Sequence, residues 1–147
     1  MQLTSPLFNH QSSMPSDYTC KGRGVNPPLS IHNVPPDAKS LAVIFHDPDS
    51  VSHDFTHWTI WNISPTQLEI PENATPASAT EGITDYGKTD YGPPCPPPGT
   101  GVHRYTFDLY ALDVLLDLPS GASRSDLEAA IAGHIIDKAQ LIGLFSA

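Results

Sequence analysis

Positive charge is scarce in this 147-residue chain: 7 Lys and Arg stand against 16 Asp and Glu, a formal net charge of −9. No run of basic residues occurs. Nucleic acid and anionic membrane both need a basic footprint, so neither suits this surface as a general partner. Long apolar runs are also missing, and nothing approaches the ~20 residues of a membrane span. The first residues, MQLTSPLFNHQSS, lack a charged segment followed by an apolar core. No secretory signal is expected from them, and a soluble cytoplasmic protein is. Cysteine is limited to Cys20 and Cys95, which excludes a four-cysteine zinc site. A bridge between them would close a long loop, worth roughly 4 kcal/mol. A reducing cytosol predicts two free thiols instead.

Apolar and charged residues are both sparse, at 39% and 16%, because 16 Pro and 10 Gly take their place. That composition fits many short strands joined by structured loops, not a helical bundle. The length suits one domain over residues 1–147. Along the chain, Leu3 to Phe8 reads as a short edge strand and Ser30 to His32 as a brief one. Leu41 to Phe45 is an apolar run of strand length between Pro36 and Pro48, which predicts a strand buried on both faces. It ends in the polar cluster His46-Asp47-Pro48-Asp49. His57 to Ile63 is rich in aromatic and β-branched residues and predicts a second central strand. Glu81 to Gly92, with two Asp-Tyr-Gly triplets, reads as a long loop. A helix is predicted from Ser125 to Leu141, opened by a Ser125/Glu128 capping box and closed by Gly143, with His134 on its apolar side. Leu144 to Ala147 has the character of a short terminal strand.

The most informative stretch is Pro93 to Tyr110, PPCPPPGTGVHRYTFDLY. Its five prolines fix φ and remove backbone donors, so the first half is a stiff loop. From His103 the pattern alternates strictly: His103, Tyr105, Phe107, Leu109 and Ala111 share one strand face. A rigid loop feeding such a strand end is a good place to hold a small polar ligand.

Alternation extends the constellation. Leu41, Val43, Phe45 and Asp47 share a face, and so do His57, Thr59, Trp61 and Ile63. If the three strands meet in one core, Asp47, His57, His103 and Tyr105 converge at one mouth, with Asp49 at its rim. Imidazole and phenol can donate to an anion, and a carboxylate can accept from an ammonium group. The set therefore suits a zwitterion or a monoprotonated phosphate better than a bare dianion. The same atoms are reasonable ligands for zinc or iron, although no local spacing such as H-x-x-x-H supports a metal site. An acid–base enzyme is a third option, without a nucleophile motif to favour it. Ser52 precedes His53, but adjacency is not a triad.

These residues carry a resemblance. Tyr18-Thr19-Cys20-Lys21-Gly22, Asn26-Pro27-Pro28-Leu29, Asp47-Pro48-Asp49, His57-Trp58 and Gly99-Thr100-Gly101-Val102-His103-Arg104-Tyr105 occur in an order that resembles the phosphatidylethanolamine-binding protein family, in its short prokaryotic form. The resemblance covers most of the chain. It implies a mainly antiparallel β-sandwich with one main helix near the C-terminus. It also implies a small pocket for phosphate-like groups and the phosphoethanolamine head, with no cofactor and no metal. The residues it assigns to ligand binding are Asp47, Asp49, His57, Pro96, Pro97, His103 and Tyr105. Two features depart from the family pattern: Ser50-Val51 follows Asp49 in place of Ala-Pro, and Cys95 replaces the glycine before the proline pair. The chain also has no room for the extra C-terminal helix of eukaryotic members, so their lipid selectivity and kinase regulation are not carried over.

The leading expectation is thus a non-enzymatic module for a small phosphate-bearing or acidic ligand. The alternatives are an inhibitor of a kinase or protease acting through its surface, and a metal-dependent hydrolase using the Asp/His pocket. An edge strand could support a homodimer, which the sequence does not decide.

Overall fold

The computed structural model describes residues 1–147. Its elements run β1 (Gln2–Thr4), β2 (Ser12–Ser13), β3 (Leu29–His32), β4 (Ser40–Asp47), β5 (Phe55–Ile63), β6 (Glu69–Ile70), β7 (Thr80–Glu81), β8 (His103–Leu112), α1 (Arg124–Ile131) and β9 (Ile135–Phe145). One sheet has the order β1-β3-β6 and the other β2-β9-β8-β4-β5-β7. All pairings are antiparallel except the short β2–β9 contact. The larger sheet is built on β4, every residue of which is buried. A strand flanked on both sides and covered on both faces has no solvent side, which explains its unbroken apolar run.

Two apolar layers lie on either side of that sheet. On one face Leu41, Val43, Phe45, Phe107 and Leu109 pack against Leu3, Leu29, Ile31 and Ile70 of the smaller sheet. On the other, Ala42, Ile44 and Trp61 pack against Leu127 and Ile131 of α1. The mainly β sandwich with a single helix near the C-terminus is present as expected.

The extent of the helix is not. α1 ends at Ile131, and its capping box is formed by Ser123 and Asp126, not Ser125 and Glu128. Gly133 adopts φ +81 two residues later, a left-handed conformation that glycine reaches at little cost and that stops a helix. Residues from Ile135 onward form an 11-residue strand paired along nearly all of β8. The periodicity that suggested helix, through His134, Ile135 and Lys138, loses to this long ladder. His134 is half-exposed, bonded through Nδ1 to Asp113 at 2.8 Å, and faces no core. Gly143, expected to end the helix, serves packing: a Cβ there would lie 2.7 Å from Met14 Cε and 3.1 Å from Phe8 Cε2. Of Leu3 to Phe8, only Leu3 and Thr4 join a sheet, as part of β1.

The cysteines also depart from expectation. Cys20 and Cys95 are joined, with Cα atoms 5.4 Å apart across a 75-residue separation. The bridge ties the Pro-rich loop to the loop after β2, and the Cys20 N–H reinforces it by donating to the Pro94 carbonyl at 3.0 Å. The fold brings the two loops within bridging distance, which neither stretch of sequence shows by itself.

A candidate anion-binding cavity at the strand ends

Straight alternation would place His57 with Thr59 and Trp61, on the α1 side of the sheet. Thr59 and Trp61 are there, beside Gly82 and the Ala122 carbonyl. His57 is not, because β5 is bulged. Phe45 pairs with Trp58 and His46 with Thr56, which leaves His57 as the extra residue. A bulge re-aims the side chain it carries. Here it turns the imidazole to the opposite face, against Phe45 and Tyr105. A second irregularity in β5, where Asn62 has φ +56 and its side-chain amide exchanges two 2.8 Å bonds with Leu116, returns Ile63 to the core face. The four residues therefore meet as expected, but by a route that alternation does not supply.

The meeting point is a cavity of about 260 Å³. Asp47 enters from β4, Phe55 and His57 from β5, and His103 and Tyr105 from β8. Ser50, Val51 and Ser52 form one wall, Cys95, Pro96 and Pro97 another, and Tyr86 a third. No lysine or arginine lines it. Asp49 does not line it either. Its carboxylate accepts from the backbone N–H and side chain of Arg104 at 2.8–2.9 Å. That pairing holds Asp49 down at about 2 and fixes the turn after Asp47 to the strand that carries His103.

The Asp47 and His103 side chains are held by hydrogen bonds. His103 Nδ1 donates to Asp47 Oδ2 at 2.7 Å, with both side chains buried. Asp47 Oδ1 accepts from the Asp49 N–H at 2.9 Å. The Thr100 hydroxyl sits between His103 Nε2, at 2.8 Å, and the Pro97 carbonyl, at 2.7 Å. Both ring nitrogens of His103 are thus committed, one to the strand layer and one to the Pro-rich loop. Tyr105 stands between the imidazoles, its ring centroid 5.4 Å from His57 and 6.0 Å from His103. Burial and the nearby Asp47 carboxylate push its phenol strongly upward, so it remains an O–H donor.

His57 behaves differently. Its Nδ1 lies 2.9 Å from the Gly92 carbonyl. A carbonyl only accepts, so Nδ1 carries the proton and the neutral ring offers an Nε2 lone pair to the cavity. Burial pushes the ring down to about 4, against the opposing pull of the Gly92 bond and of Asp47 and Asp85. The donating role expected of both imidazoles fails for His57, which is neutral at physiological pH and accepts.

A hydrogen-bonded Ser–His–Asp chain borders the cavity. Ser52 Oγ is 2.9 Å from His53 Nδ1, and His53 Nε2 is 3.2 Å from Asp85 Oδ2. The imidazole side chain is 55% exposed and the carboxylate 39%, so water screens both. Asp85 Oδ2 also accepts from the Thr56 N–H at 2.7 Å. No three His, Cys, Asp or Glu side chains are grouped as a metal centre requires.

With this geometry in view, comparison with known proteins is decisive. The family model for phosphatidylethanolamine-binding protein matches residues 4–146. The chain belongs to the phosphatidylethanolamine-binding protein family. It is 47% identical over 150 residues to a UPF0098 protein of Methanothermobacter thermautotrophicus, covering 99% of this chain and 98% of that one. A UPF0098 protein of Pyrococcus abyssi is 44% identical over 152 residues, covering 99% and 85%. Among solved structures, a phosphatidylethanolamine-binding protein homologue from Chlamydia trachomatis superposes with a TM-score of 0.94 at 40% identity, covering 99% of this chain and 97% of that chain. YbcL of E. coli, described as a member of the mammalian family, gives 0.93 at 27% identity, covering 99% and 98%.

In this family member the sequence reading missed several cavity residues, and one signal pointed to them. The two Asp-Tyr-Gly triplets of residues 85–87 and 90–92 are not plain loop. Asp85 holds the start of β5, Tyr86 lines the cavity, Tyr91 stacks on Phe45 at 5.4 Å, and Gly92 locks His57. Phe55, whose ring centroid lies 4.8 Å from that of His57, and the wall residues Ser50 to Ser52 carried no such signal.

Proposed function

We propose that the cavity binds a small phosphate-bearing group of the phosphoethanolamine type, and that the protein is a binding module without catalytic turnover. The observation that carries this reading is Tyr105, a buried donor between two imidazoles that are each fixed by a bond on their far side. A site whose polar groups are held before the ligand arrives loses little entropy on binding. The volume of about 260 Å³ suits a headgroup and falls below the ~300–1,000 Å³ of drug-sized pockets. Val51, 74% exposed, and Tyr86 give the wall an apolar character that suits an organic ester. The family's name and that of the Chlamydia trachomatis homologue support the same ligand class.

The non-catalytic part of the reading rests on the absence of a shielded nucleophile. Ser52 has an imidazole partner, but one open to water, and electrostatic catalysis draws its strength from excluding water. Calorimetric titration with phosphoethanolamine tests the binding. Saturable one-site heat is expected from the parent protein, and its loss from Tyr105→Phe. Absence of heat from the folded parent protein would contradict the reading.

A further inference from the structure

We infer that the cavity selects its ligand by a proton, admitting an anion that carries a hydroxyl hydrogen for His57 Nε2 and rejecting one of equal shape and charge that carries none. This rests on the anion-binding reading above and names the species bound: the monoprotonated phosphomonoester.

The Gly92 carbonyl fixes the tautomer of His57, so the nitrogen that reaches the cavity is an acceptor. The ring cannot readily escape by taking a second proton. Phe45 and Phe55 pack on it at 5.4 and 4.8 Å, and burial disfavours the charged form. The groups that act on it are Asp47 and His46 from β4, Tyr105 from β8, and Tyr86 and Asp85 from the loop before Gly92; His46 opposes a charge on the ring. Asp47 and Asp85 favour a cationic ring, and burial outweighs them.

The rest of the cavity points the same way. Its lining contains one carboxylate and no lysine or arginine, and Arg104 outside is engaged by Asp49. Both nitrogens of His103 are engaged. A dianion would therefore meet the Asp47 carboxylate and the His57 lone pair, with the Tyr105 and Ser50 hydroxyls as the side-chain donors free to oppose them. A phosphomonoester monoanion has one P–OH to give to Nε2 and two unprotonated oxygens to accept from Tyr105 and the loop. A sulfate ester monoanion places a third acceptor where the P–OH should be. The lone pairs then oppose each other, and sites built to hydrogen-bond a ligand hydroxyl reject analogues lacking it strongly.

Methyl phosphate and methyl sulfate make the matched pair. At about pH 5.5, below the ~6 at which a phosphomonoester loses its second proton, both are monoanions of closely similar shape. Titration of the whole protein should show methyl phosphate binding at least about tenfold more tightly than methyl sulfate, the effect of one unmade hydrogen bond to a buried acceptor. At about pH 7.5 most methyl phosphate is dianionic, and its affinity should fall by roughly twentyfold while methyl sulfate, measured alongside, reports any change in the protein's own groups. His57→Gln, which can turn an amide N–H toward the cavity, should bring the two affinities together. The parent-protein comparison stands even if that variant misfolds. Equal affinities for the two esters would overturn the inference and leave the anion site standing. If neither ester nor phosphoethanolamine binds, the site reading falls with it.

Discussion

Gly92 and His57 hold each other by two reciprocal bonds. The Gly92 N–H donates to the His57 carbonyl at 2.7 Å, and His57 Nδ1 donates to the Gly92 carbonyl at 2.9 Å. A Cβ at Gly92 would meet the Tyr86 ring, 2.6 Å from Cε2, and lie 3.0 Å from the His57 carbonyl oxygen. The missing side chain lets backbone and ring approach together. Gly92→Ala should therefore swing Tyr86 outward, break its 2.7 Å bond to the Pro93 carbonyl, and loosen His57. A cost of about 1–3 kcal/mol is expected from overpacking, with phosphoethanolamine affinity reduced in parallel. Urea unfolding and calorimetry measure both, and unchanged affinity would show that His57 needs no such support.

The buried ring makes stability depend on pH. An unfolded His57 takes up a proton near the ordinary 6.5, whereas the folded ring resists until about 4. The unfolded chain thus binds more protons in this window, and the stabilising effect, complete above 6.5, is lost as pH falls toward 4. The loss amounts to about 3 kcal/mol. His46 acts in the opposite sense: burial opposes its charge, but its bonds to Asp108 and Asp54 outweigh burial and raise it. The difference between the parent protein and His57→Gln isolates the His57 contribution. That difference should narrow between pH 6.5 and 4, and a constant difference would contradict a neutral buried ring.

Much of this architecture is legible in the sequence because its centre is locally consistent. The apolar run of β4, the aromatic and β-branched content of β5 and the alternation of β8 each specify strand, and the three are neighbours. The cavity residues could be named because they sit where those patterns break into polar residues. What stayed hidden depends on contacts distant in sequence. The bulge that turns His57 to the cavity face is a mismatch between two strands, visible in neither alone. The strand after Gly133 looks helical until β8 is beside it. The disulfide requires two loops 75 residues apart to meet.

That disulfide anchors a wall of the cavity, since Cys95 lines it next to Pro96 and Pro97. Closing a loop of this length contributes about 4 kcal/mol through the unfolded chain. Reduction by a dithiol, or Cys20→Ser, should lower the urea midpoint accordingly. Mass spectrometry of the protein purified without reductant should show it two hydrogens lighter than its reduced form. Two free thiols under those conditions would contradict the bridged structure.

Ser52 offers the clearest test of the non-catalytic reading. Its bond to His53, itself bonded to Asp85, has the order of a hydrolytic triad. Exposure of the imidazole and carboxylate predicts no hydrolysis of nitrophenyl acetate or nitrophenyl phosphate above that of Ser52→Ala. Turnover abolished by that substitution would make the protein an enzyme.

The account rests most directly on two rings in one cavity. In histidine-ring NMR during titration with phosphoethanolamine, the resonances of His57 and His103 should move together and saturate at one equivalent, while His32 and His134 stay in place. Perturbation of the outer rings alone, or of none, would contradict it.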